Sequence, residues 1–99
     1  MAGKKKSNVK SRLELPLTAA NAHIWKLELI RLLDGDEPAE LDLESQEDCD
    51  TAGMQLLLAA KVSAREKNRN LILVNPGVPV REAARRLGID LAEAFQIME

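Results

Sequence analysis

Tyrosine is absent from this chain of 99 residues, and its aromatic side chains are Trp25 and Phe95 alone. That scarcity removes any stacking platform for bases and leaves the core to Leu, Ile, Val and Ala. A net charge of -2 and a pI near 5.5 likewise argue against a nucleic-acid binder, which needs a basic face for phosphates. One cysteine, Cys49, cannot form an internal disulfide, and beside Asp50 its thiolate is disfavoured. It reads as a small, buried, inert side chain. One histidine, His23, has no partner for metal or catalytic work. No apolar run reaches the ~18 residues of a membrane span, so no membrane insertion is expected. The opening MAGKKKSNVK has no apolar stretch behind its lysines, so it is not a secretory signal, and a cytoplasmic location is expected. There is no Gly-rich phosphate loop, no Cys/His pair and no Ser with a His base, so neither catalysis nor a cofactor is expected.

What is present is charge, unevenly placed. Between Asp34 and Asp50 stand nine acids and no Lys or Arg, while both flanks are net basic. So many carboxylates must fan out into solvent, on loops. Their spacing fits no EF-hand loop, and no metal site is expected.

Residues 1–11 read as a basic, flexible arm, and 12–99 as a single domain. Leu13, Leu15 and Leu17 alternate within a half-buried strand from Val9 to Thr18, which Pro16 marks as an edge or an end of pairing. Thr18 or Asn21 can cap a helix that runs to about Leu33. Ala22, Trp25, Leu29, Leu32 and Leu33 share its inward stripe; Ile24, Leu27 and Ile30 fall elsewhere, and either lie under a neighbouring element, the favoured reading, or form part of a contact surface. Leu41 and Leu43 suit a short buried strand, and Leu71–Val74 a strand buried on both faces. A helix from about Ala52 to Lys67 lies between them. Pro79 can open a further helix, with Val80, Ala83, Ala84 and Leu87 inward, that Gly88 closes. The last ten residues suit a helical turn and an edge strand through Phe95 and Ile97. Such alternation predicts an α/β domain with right-handed crossovers and a central parallel strand pair.

The stretch LDLESQEDCDTAG, Leu41 to Gly53, followed by MQLLLAA, organises the rest. It is a strand, an acidic loop and the start of a helix. A hydroxyl at Thr51 would lie beside unpaired amides at the positive end of the helix dipole, where a phosphate is readily accepted. Strand, acidic loop, Asp50-Thr51-Ala52-Gly53-Met54 and an apolar helix resemble the signature of the STAS family, which includes anti-sigma-factor antagonists and domains of sulphate transporters.

That resemblance spans roughly residues 12–97. It implies a single layer of four to five mixed, centrally parallel strands covered by three to four helices. It departs at Leu15-Pro16-Leu17-Thr18, where relatives carry a Gly-Glu-Leu-Asp-like turn. It further implies a non-catalytic module in a bacterial partner-switching or signalling pathway, with Thr51 as the residue a kinase phosphorylates. Asp48, Asp50, Thr51, Ala52, Gly53 and Met54 would then face the partner, an anti-sigma factor or another kinase-like regulator. Similarity also extends to two other groups of small members. Chemotaxis-associated STAS proteins bind a signalling kinase or regulator, and the STAS subunit of a lipid-transport ABC complex clamps an ATPase.

Overall fold

Strands of three or four residues suffice to cross a small sheet, and four of them recur along the chain. In the computed structural model, which describes residues 8–99, one sheet is built from β1 (Val9–Arg12), β2 (Ala39–Asp42), β3 (Leu71–Val74) and β4 (Gln96–Met98). The strands lie in sequence order, and every pairing among the described residues is parallel, out to both edges. Helix α1 (Ala22–Leu32) joins β1 to β2, α2 (Thr51–Glu66) joins β2 to β3, and α3 (Val78–Arg86) with α4 (Leu91–Ala94) joins β3 to β4.

Right-handed crossovers that always step the same way place all the helices on one face. Burial agrees: in β2, Ala39 and Leu41 are fully buried, whereas Glu40 and Asp42, which alternate with them, are half-buried on the other face. Ser11, Leu41, Leu73 and Ile97 stand in one row beneath the helices. Trp25, Leu32, Leu43, Met54, Leu57 and Val80 complete the core. On the far face Ile72 is also buried, as the apolar run implied, while Val74 is half-buried.

Several expectations require correction. Val9, Lys10 and Ser11 belong to β1 and not to the expected arm of residues 1–11; residues 1–7, where the rest of that expectation falls, lie outside the described residues. The strand expected to reach Thr18 stops at Arg12, and only Leu17 makes a further bridge, to Cys49. Pro16 has no amide to donate, and side chains take over the role of a ladder. Gln46 Nε2 donates to the carbonyls of Leu13 and Leu15, both at 2.9 Å, and Trp25 Nε1 to those of Leu15 and Pro16 at 3.2 and 3.1 Å. Ile24, Leu27 and Ile30 are not covered; they are 48%, 54% and 55% exposed, because the single helix layer leaves the outer side of α1 bare among the described residues. Leu87 is exposed too: it is the C-cap of α3, where the backbone has left helical geometry and the inward stripe ends.

Two helices end in the same way. Asn68 (φ 57°) follows α2 and Gly88 (φ 73°) follows α3, each in the left-handed region. The next amide then folds back, Arg69 N to Ala64 O at 2.7 Å and Ile89 N to Ala84 O at 2.9 Å, which satisfies the last carbonyls.

Candidate functional site

The junction between β2 and α2 starts from one carboxylate. Asp50 has extended backbone geometry and is the N-cap of α2, with Oδ1 accepting from Gly53 N at 2.9 Å. Its other oxygen accepts from Ala19 N at 2.9 Å, so the same side chain also holds the short 3-10 turn (Ala19–Asn21) that precedes α1. Those amides, Ala19 first and then Gly53, stabilise the ionised form and hold the Asp50 carboxyl below the usual carboxylate range.

Thr51 is therefore the first helical residue and not the cap. It is exposed, and its side chain makes no hydrogen bond to another described residue. That hydroxyl is presented to solvent at the positive end of a sixteen-residue helix.

Gly53 sits where the first turn of α2 presses on the Leu17 backbone. A Cβ there would overlap the Leu17 carbonyl oxygen and lie 2.8 Å from its carbonyl carbon. Leu17 is further tied to the site from both sides: Asp50 N donates to its carbonyl at 3.3 Å, and its own amide donates to Gln46 Oε1 at 2.8 Å.

Of the residues expected to face a partner, Asp48 and Thr51 are exposed, and Asp50 and Ala52 half-buried. Gly53 and Met54 are buried, Met54 completely, so their side of the helix belongs to the core and cannot present a contact. The helix turns 100° per residue, and two residues past Thr51 it already faces the sheet. Glu47 and Asp48 keep the rim beside Thr51 acidic, but the rim is partly neutralised further out. Arg12 Nη1 lies 3.6 Å from Asp42 and 3.8 Å from Glu44, and its Nε 3.0 Å from Glu14.

Cys49 is buried behind the junction. Burial first, then the neighbouring Asp50 and Asp48, push its thiol up to about 11, so it stays protonated. Among the described residues, no three His, Cys, Asp or Glu side chains are grouped to hold a metal ion, and no helix is long and apolar enough to cross a membrane.

Sequence reasoning missed the parts supplied by Leu17, Ala19 and Gln46. Two of them act through backbone groups, which no residue type advertises. Gln46 had one faint signal: it is a neutral amide within an acidic loop, able to donate and accept at once.

The STAS domain family model matches residues 3–96. No curated protein matches the chain. Among solved structures, an inferred anti-sigma factor antagonist from Thermotoga maritima, TM1081, has a similar fold, with a TM-score of 0.75 and 19% sequence identity. The alignment covers 96% of this chain and 83% of that one. With the family model running along almost its whole length, this chain belongs to the STAS domain family.

Proposed function

We propose that the protein is a non-catalytic regulatory binding module of the anti-sigma-factor-antagonist type, working in the cytosol, whose docking is switched off by phosphorylation of Thr51. The observation that carries this reading is an exposed, unengaged hydroxyl in the first turn of α2, flanked by Asp50 and Asp48. Unmodified, the surface formed by Asp48, Asp50, Thr51 and Ala52 meets a kinase-like anti-sigma factor or a similar regulator. Phosphorylation adds about -1.5 to -2 charge beside two carboxylates, and like-charge repulsion with added bulk breaks the contact. A phosphatase resets it.

The test is affinity purification of the partner from the native cell, followed by titration of wild type, Thr51→Ala and Thr51→Glu against it. Wild type and Thr51→Ala should bind alike and Thr51→Glu at least about tenfold more weakly. Equal binding by all three removes Thr51 from the mechanism; loss with both variants makes it a permanent contact, as in an ATPase-clamping subunit. Because Asp50 and not Thr51 is the cap, Thr51→Ala should stay within about 0.5 kcal/mol of wild-type stability, which keeps the comparison clean.

A further inference from the structure

Helices α1 and α2 lie side by side, and each turns residues at spacings of three and four toward the other. On α1 these are Leu29, Ile30 and, at its C-cap, Leu33; on α2 they are Leu56, Ala59 and Ala60. Leu29, Leu33 and Ala60 are buried and form the floor, Ile30, Leu56 and Ala59 stand along the sides, and between the helices a mainly apolar trough of about 460 Å³ opens to solvent. Lys26 and Lys67 line it together with Ser63, and none of the described residues lining it is acidic. Ile24 and Leu27 are exposed as well, on the outer side of α1 and outside the trough lining.

We infer that this trough is a second docking surface, which takes an acidic amphipathic helix of a partner protein. Three features select that occupant. A concave channel suits a convex rod about 10 Å across, whereas a bilayer surface is flat. The trough is too open to bury most of a small molecule. The cations on its rim call for Asp or Glu flanking an apolar stripe of matching spacing. A second copy fits poorly, because its own acids are gathered between residues 34 and 50, chiefly off the helices, and lysines would meet lysines. The inference does not rest on phosphorylation, since Thr51 stands on the first turn of α2, ahead of the trough.

The experiment is a methyl-NMR titration of the full chain with a designed, helix-stapled peptide carrying Leu at that spacing and Glu around it. A Lys-for-Glu version and a scrambled version serve as controls. Saturable shifts at Ile30, Leu56 and Ala59 are expected with the acidic peptide alone. Ile30→Asn should weaken binding about tenfold or more, and the double reversal Lys26→Glu, Lys67→Glu should do the same while admitting the basic peptide. Lys26, Ile30 and Lys67 are exposed, and a thermal melt of each variant checks that it folds. Thr51→Glu should leave the titration unchanged, which separates failure here from failure of the switch. No binding, equal binding of the acidic and basic or scrambled peptides, or shifts elsewhere overturns the inference. So does co-sedimentation with phosphatidylglycerol vesicles in place of peptide binding, or self-association through these methyls.

Discussion

Asp50 performs two tasks with one carboxylate, and its chemistry sets a measurable dependence on pH. Its amide partners depress the carboxyl's titration in the folded chain, so the stability it contributes is present above the unfolded value near pH ~4 and is lost as pH falls through the folded value. Replacing Asp50 by Ala should cost about 1–2 kcal/mol at neutral pH, and the gap to wild type should narrow in acid; urea titrations at pH 7 and pH 3 measure it. Gly53→Ala tests the close approach to Leu17. In an open helix that change stabilises by about 1 kcal/mol. Here the new Cβ overlaps backbone, and a loss of about 3 kcal/mol in the same assay is expected.

At the scale of whole elements, the left-handed Asn68 sets the position of Arg69 after α2. Arg69 is buried, with Nε donating to the Glu37 carbonyl at 2.9 Å, Nη2 to the same carbonyl, and Nη1 to the carbonyl of Leu33 at the end of α1. A cation there meets the negative end of a helix and anchors the turn leading into β2. Arg69→Met keeps much of the packing but removes the donors; it should destabilise by about 3 kcal/mol in chemical denaturation, whereas Arg65→Met, on an exposed residue, should change little. The contrast shows which elements could be read from residue order. β2, β3 and the Gly88 stop follow from local rules: an alternation, an apolar run and a left-handed residue; α2 starts at Thr51, one residue ahead of the expected Ala52, because Asp50 caps it. Arg69 follows from none, because its acceptors lie more than thirty residues upstream. The Leu13–Leu17 segment misled for the same reason. Its alternation suggests a strand, but its partners are the side chains of Gln46 and Trp25, brought in by tertiary contact. Burial is the natural expectation for Ile24, Leu27 and Ile30, since apolar side chains are usually covered; whether a layer lies above them depends on topology. The site divides along the same line, with Thr51 and Asp50 visible in a short motif and the burial of Met54 decided by helix phase against the sheet.

For the molecule as a whole, Cys49 is a built-in probe of unfolding. It lies in the core cluster with residues from every helix and from β2 and β3, so its thiol reaches solvent only when the packing opens. Labelling with a disulfide reagent at pH 8 should be slow and should track the urea-dependent unfolded fraction, rising to the free-cysteine rate when unfolding is complete. A thiol pushed up to about 11 also favours the fold in its protonated form. Its contribution is present below the unfolded value near pH ~8.5 and disappears as pH rises through the folded one. Strand order has a consequence for shortening the chain. Because the sheet grows one unit at a time in a single direction, the strands behave like books on a shelf. Trimming away β4 takes the last volume and leaves three still hydrogen-bonded to one another, whereas disrupting β2 parts the first volume from the remaining pair.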